Sequence, residues 1–377
     1  MRLLAGGVAS GLAVAANAAN VTAGARAPAA ADAALDLSQW LQPIPRSARF
    51  EDPGYFVWCG SVVRGRDRRY HLFYSRWPRA HGFEAWVTHS EIARAVADSP
   101  LGPFRHADVA LPARGAALWD GLCTHNPTVH RFGDRYYLYY MGNTGDGLVS
   151  PPGPKGPLGP RALNWTHRNN QRIGVAVADS PEGPWRRRDA PLIAPTEGFH
   201  DALCCANPTI ARRAGGDYLL IYKAVGRERP LPFGGPVVHV AALGASPDGP
   251  FVKQPRALFT SAGSDFPAED PFIWTDGSRT RAIVKDMAGA FTHRGRSLAL
   301  FESADGGLTW SPASHALVSG LDLRWQDGQV QRVEYLERPQ LLIEEGRPRV
   351  LYLAVRPSDP ALPTFNVHVP LRAPRGR

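Results

Sequence analysis

Cysteine is scarce in this chain, and none of Cys59, Cys123, Cys204 and Cys205 stands in a C-x-x-C pair. The spacing that a structural zinc site needs is therefore missing, and no metal ligand set is assigned. The four read as small buried residues along a crowded axis, with a disulfide left open if the protein is exported. Long apolar runs are also lacking: beyond the N-terminus, no stretch approaches the length and apolarity of a membrane span. Nor does any segment interleave basic and aromatic residues at regular spacing. The formal charge of +9 comes mostly from arginines scattered as Arg66-Asp67-Arg68-Arg69, Arg186-Arg187-Arg188 and the tail Arg372 to Arg377. That pattern argues against a nucleic-acid partner and bears mainly on solubility.

What is plentiful is Gly (38) and Pro (35), with 44% hydrophobic residues and 10% aromatics. This suits a well-filled core made of many short strands joined by turns. The length of 377 residues would ordinarily suggest two domains, but a repeat architecture can run past that estimate as one body.

Five related passages organise the chain. They are Cys59-Gly60-Ser61-Val62-Val63, His125-Asn126-Pro127-Thr128-Val129, Ala206-Asn207-Pro208-Thr209-Ile210, Glu269-Asp270-Pro271-Phe272-Ile273 and Leu336-Glu337-Arg338-Pro339-Gln340. Each sets polar residues just before an apolar strand. Second strands follow at Tyr70 to Tyr74, Tyr136 to Tyr140, Tyr218 to Tyr222, Arg281 to Val284 and Val350 to Ala354. Third strands are expected at Ala85 to His89, Ile173 to Val177, Val237 to Ala241, Ser297 to Phe301 and Phe365 to Val369. An outer turn recurs as Ser99-Pro100-Leu101-Gly102-Pro103-Phe104, Ser180-Pro181-Glu182-Gly183-Pro184-Trp185 and Ser246-Pro247-Asp248-Gly249-Pro250-Phe251, with a looser copy from Ser303 to Trp310. These repeats predict an all-β, five-bladed β-propeller over residues 35–377, with an active-site pocket on its central axis. The last blade lacks the turn, so a strand near Leu35 to Trp40 is expected to complete it. The long insertion from Gly145 to Arg168 reads either as a pocket-rim loop or as a surface excursion.

The N-terminus has a short charged start, an apolar stretch from Leu3 to Ala16 and an A-x-A option at Ala16-Asn17-Ala18. Residues 1–18 are therefore expected to be a signal peptide for a periplasmic or extracellular protein. Residues 19–34 read as a disordered Ala/Gly/Pro linker.

Aligned on their prolines, with Ser61 standing in for the first, the passages place Cys59, His125, Ala206, Glu269 and Glu337 two residues before it. Gly60, Asn126, Asn207, Asp270 and Arg338 stand one before. Acids also precede each passage, at Asp52, Asp120, Asp201, Asp265 and Glu334. In a propeller these groups converge on one face, where crowded carboxylates raise one another's pKa and can divide acid and base roles. The more distant acids serve equally as turn caps or arginine partners. Trp58 and Trp119 could stack on a ligand's ring or simply pack. His125 suits hydroxyl contact, acid catalysis or a structural role. Asn126 and Asn207 suit hydroxyl binding or capping. Lys285 and Arg338 suit an anionic ligand or neutralisation of the acids.

Asp270-Pro271-Phe272-Ile273-Trp274 and Glu337-Arg338-Pro339, with the S-P-x-G-P-aromatic turns and aromatic second strands, resemble five-bladed propeller glycoside hydrolases. That superfamily includes family 43 arabinanases and xylosidases, invertase-like family 32 and family 117. The resemblance implies Glu337 as general acid, Asp270 as the modulating carboxylate and an Asp as base. Asp52, in Asp52-Pro53, looks like the first-blade D-P but stands well before Ser61; Asp120 and Asp201 are alternatives, and Glu269 is an alternative acid. The activity implied is hydrolysis of a terminal glycosidic bond in an oligo- or polysaccharide by a monomer. Inversion is expected, with the two carboxyls about 6.5–9.5 Å apart, whereas a separation of about 5 Å would point to retention. No cofactor is required, although an axial calcium, present in some relatives, is compatible. Phosphorolysis, with Arg338, Lys285 or Lys223 binding phosphate, and non-catalytic glycan binding are the alternatives.

Overall fold

Each repeat folds as one antiparallel sheet, because its second and third strands are apolar on both faces and need a neighbour on each side. The computed structural model describes residues 34–146, 163–277 and 279–374. The expectations for residues 1–18 and, but for its last residue, for 19–34 lie outside them.

The first four blades are four-stranded sheets in sequence order. Their inner strands are Tyr55–Arg64, Cys123–Phe132, Cys204–Arg212 and Ala268–Asp276. The fifth has Val330–Glu344 innermost, then Arg347–Pro357 and Phe365–Pro370. Alternate residues of a strand serve opposite blade interfaces. Tyr136, Leu138 and Tyr140 pack toward blade one, whereas Tyr137 and Tyr139 pack toward blade three. Each such side chain contributes about 1.5–3 kcal/mol on burial, which explains why these strands read as unbroken apolar runs.

The propeller closes by pairing a strand that precedes blade one with the last strand of blade five. The closing strand is Arg49–Phe50, paired with Val367 and Asn366, rather than the predicted Leu35 to Trp40. That earlier segment forms a short 3-10 turn, Leu37–Gln39, and buries Leu37 in the core between the last two blades. Leu41 bridges to Leu371 along the outer edge of blade five. The second difference is in blade one, whose third strand is Glu91–Ala97. The predicted strand at Ala85 to His89 is instead a helical turn, Trp86–His89, entered through Gly82 at φ 80°. This turn belongs to a loop on the pocket face and brings Trp86 to the pocket wall. No helix among the described residues is long and apolar enough to cross a membrane.

Candidate active site

All five inner strands bulge at the same place. Their register with the second strand breaks between Trp58 and Ser61, His125 and Thr128, Ala206 and Thr209, Glu269 and Phe272, and Glu337 and Gln340. One residue in each bulge has a left-handed backbone: Cys59 (φ 54°), Asn126 (53°), Asn207 (51°), Asp270 (55°) and Arg338 (55°). Asn and Asp tolerate this conformation, but Cys and Arg gain no such relief, and strained backbone of this kind costs about 1–3 kcal/mol per residue. The bulges shift the blade-one alignment by one residue. Gly60, not Ser61, holds the place of the prolines, so Cys59 matches Asp270 and Trp58 matches Glu269. A Cβ on Gly60 would lie 2.9 Å from both Asn366 Nδ2 and Leu72 Cδ1, which leaves no room for proline.

The five left-handed residues form a circle around the axis. The Cys59 thiol donates to Asn126 Oδ1, Asn126 Nδ2 to Asn207 Oδ1 (2.6 Å), and Asn207 Nδ2 to Asp270 Oδ1 (2.7 Å). Arg338 Nη1 donates to the same Asp270 oxygen at 3.2 Å, and its guanidinium also lies against the Cys59 thiol. Asp270 and Arg338 are buried, at 3% and 1% exposure. Asn126 and Asn207 are therefore held by protein partners.

On this circle sits a cavity of about 140 Å³. One wall is aromatic, from Trp58, Trp77, Phe83 and Trp86; the other carries Glu269, Glu337 and Lys223. Lys285 bridges the two glutamates, 3.2 Å from Glu269 Oε2 and in a very short contact with Glu337 Oε1, while Lys223 holds Glu269 Oε1 at 2.8 Å. Burial and the charges of Glu269 and Asp270 outweigh Lys285 and push the Glu337 carboxyl up to about 7. Burial acts on Glu269 in the same direction, but the two ammonium groups outweigh it and hold Glu269 well below the usual range. Burial and the Glu269 charge raise Asp270. Burial, with Arg338 and Lys223, keeps His125 neutral, well below the usual histidine value. Two neighbouring carboxyls with pKa values pushed apart are what acid catalysis beside a fixed anion requires.

Glu269, Asp270 and Glu337 bring one oxygen each within 4.8 Å of the others. That spacing would suit an ion, but Lys223, Lys285 and Arg338 already supply three positive charges to the same carboxylates. The donor set is neutralised by the protein's own side chains and does not call for an axial calcium.

No family model matches the chain, and no curated protein matches it in sequence. Solved structures do match in fold. Zg3597, a family 117 glycoside hydrolase from the marine bacterium Zobellia galactanivorans, is 16% identical, with 88% of this chain and 89% of that chain covered at a TM-score of 0.57. A thermostable family-43 glycoside hydrolase gives 12% identity, 89% and 96% coverage and a TM-score of 0.56. An endo-arabinase from Bacteroides thetaiotaomicron gives 13%, 89% and 99%, and 0.51. The fold is that of the five-bladed propeller glycoside hydrolases.

Within that fold, the pocket gathers Trp58, His125, Asn126, Asn207, Glu269, Asp270, Glu337 and Arg338 from the sequence-derived candidates, and Lys285 is bonded to its two glutamates. It does not gather Asp52, Asp120, Asp201 or Trp119. These three aspartates form a second blade-wise repeat, each tying a tyrosine of the second strand to a cation. Asp52 accepts from Tyr74 Oη (2.7 Å) and Arg76 (2.8 Å). Asp120 accepts from Tyr140 Oη (2.7 Å), Arg114 (2.7 Å) and Arg187 (3.4 Å). Asp201 accepts from Tyr222 Oη (2.8 Å) and pairs with Lys253. Asp52 thus holds Tyr74 and Arg76 together and does not line the pocket. Trp119 stacks on Tyr140 at 5.9 Å. Asp52→Asn is expected to lower stability by about 1–3 kcal/mol while leaving turnover at saturating substrate within a few-fold, as read by urea melts and steady-state kinetics on one preparation.

Sequence reasoning gave no pocket role to Trp77, Phe83, Trp86, Met141 or Ser90, and raised Lys223 only as a phosphate ligand. The bulge register offers a signal for two of these: Met141, Lys223 and Lys285 face His125, Ala206 and Glu269 across equivalent pairs. The described end of the insertion forms a helical turn, Trp165–Asn169. Its His167 Nδ1 bonds Asn143 Oδ1 (2.8 Å), and Asn143 Nδ2 donates to Val87 O (3.0 Å), bracing the turn that carries Trp86.

Proposed function

We propose that the protein is a glycoside hydrolase that removes a terminal sugar from an oligo- or polysaccharide, with Glu337 as general acid. The observation that carries this is the Glu337 carboxyl, lifted to about 7 in a confined pocket beside a glutamate held ionised. A proton retained near neutrality can be given to a leaving oxygen. Glu269 and Asp270 stabilise the positive charge that grows on the sugar ring, and the aromatic wall offers apolar contact to its C–H faces. The small cavity favours a single sugar unit.

The expected spacing between an acid and a base carboxyl does not occur within the acidic cluster. Its oxygens lie within 4.8 Å of one another, closer than the about 6.5–9.5 Å that leaves room for a water and nearer the about 5 Å of a retaining pair, so neither Glu269 nor Asp270 suits the role of base to Glu337 in an inverting reaction. Phosphorolysis has little support, because Lys223, Lys285 and Arg338 are each paired to a carboxylate. A glycan-binding pocket without turnover is the second reading. It is favoured by blade one, which presents Trp58 and Cys59 where blade four presents two carboxylates.

A screen of aryl glycosides and oligosaccharides, followed by NMR, tests the proposal. Release of one monosaccharide by the wild-type chain, lost from oligosaccharides in Glu337→Gln, is the expected result. Saturable binding of glycans without release by either chain would establish the binding pocket instead.

A further inference from the structure

We infer that His125 is the general base of this reaction, taking a proton from the attacking water on the wall that faces Glu337; the inference rests on the glycosidase reading above. The hydrogen-bonded circle fixes the order of the blades around the axis: Cys59, Asn126, Asn207, Asp270, Arg338. Blade one adjoins blade five, and blade three adjoins blade four. Blade two is the blade that touches neither acidic blade, and His125 is its residue in the position that Glu269 and Glu337 occupy on theirs. A sugar seated in the pocket therefore has Glu337 on one side and His125 on the other. That is the opposed arrangement direct displacement needs.

The other candidate bases are disposed of by their surroundings. Glu269 and Asp270 lie on the same wall as Glu337. Asp52, Asp120 and Asp201 are bound by tyrosine hydroxyls and cations. Burial keeps the Cys59 thiol protonated, and it donates into the circle.

His125 is positioned for the task. Its Nδ1 lies 2.7 Å from Ser90 Oγ, and the Trp86 and Trp77 rings hold the imidazole at centroid distances of 5.1 and 5.5 Å. With Nδ1–H donating to Ser90, Nε2 carries the lone pair, and no described residue bonds to it. The charged groups facing the ring are Arg338 and Lys223, with Glu269 and Glu337 across the pocket. Of the strand packed behind it, Arg76 is committed to Asp52 and Glu91. On the helical turn beside it, His89 is bonded to Thr88. Burial, with Arg338 and Lys223, keeps the resting imidazole neutral, so the Nε2 lone pair is unprotonated at neutral pH although the same surroundings weaken it as a base.

In the step, a water oxygen bonds to the anomeric carbon as the glycosidic C–O bond breaks. The water proton passes to His125 Nε2, and the Glu337 proton passes to the leaving oxygen. The products are an alcohol and a sugar of inverted configuration, and the imidazolium and carboxylate return to their resting states by proton exchange with solvent.

Kinetics of His125→Ala and His125→Gln on an activated aryl glycoside test this. Expected is a fall in kcat of about 100- to 10,000-fold, with KM little changed and the loss equal for good and poor leaving groups. Sodium azide, a nucleophile that needs no base, is expected to restore aryl release in His125→Ala and to give the inverted glycosyl azide. That rescue also shows that the variant is folded. If both variants keep kcat within a few-fold, or azide rescue fails in a variant whose melt matches wild type, His125 is not the base. A loss in Glu337→Gln confined to poor leaving groups would then leave the glycosidase reading standing. Absence of wild-type turnover on every glycoside overturns both.

Discussion

Glu337→Gln is expected to slow cleavage of a glycoside with a poor leaving group, such as a sugar alcohol, by about 100- to 10,000-fold. Release of 2,4-dinitrophenol should stay within about tenfold of wild type, because that group departs without a proton and the variant loses only what the acid supplied. The amide keeps the shape of the carboxyl and can accept from Lys285 through its oxygen, so the pocket is preserved. Its effect on Glu269 is small, since that carboxylate keeps Lys223 at 2.8 Å as well as Lys285. A uniform loss across leaving groups would instead mark Glu337 as a positioning residue. The comparison of the two substrates on one enzyme preparation decides between them.

The second large effect is on folding. Arg338→Met is expected to cost about 3–5 kcal/mol, the usual loss when one member of a buried ion pair is removed. Arg338 and Asp270 are nearly inaccessible, and the pair closes the circle of five left-handed residues. Without the guanidinium, Asp270 faces Glu269 in a buried site, and its carboxyl, already raised, rises further. A carboxyl with a raised folded pKa binds more protons folded than unfolded, so stability increases as pH falls through that pKa. The deficit of Arg338→Met should therefore be larger at pH 8 than at pH 5. Asp270→Asn added to Arg338→Met should recover much of the loss, because Asn already fills this position in blades two and three. Urea melts of the single and double variants at both pH values check this.

The five blades were legible in the sequence because their signals are local. A polar pair before a proline, an apolar second strand and an S-P-x-G-P turn all fall within a few residues of one another. Where blade one departs from the repeat, the reading slipped. Gly60 replaces proline, and only the bulge register shows that Trp58, not Cys59, faces the pocket beside His125. Closure by Arg49–Phe50 was hidden because a two-residue strand has no periodicity to detect. The acids preceding each passage were visible, but their partners were not. Arg76, Arg187 and Lys253 come from other strands, and only the fold shows that Asp52, Asp120 and Asp201 are staples. Trp86 escaped because four residues of apolar and β-branched sequence read as a strand until Gly82 and the loop around it turn them into a helix.

The proton on Glu337 is the centre of this mechanism, and it can be observed without a substrate. In a protein labelled with ¹³C at the glutamate side-chain carboxyl, the Glu337 resonance, assigned by its loss in Glu337→Gln, is expected to titrate with a midpoint near 7. A midpoint at the ordinary glutamate value of 4.5 would mean that the carboxyl is ionised at neutral pH and has no proton to give.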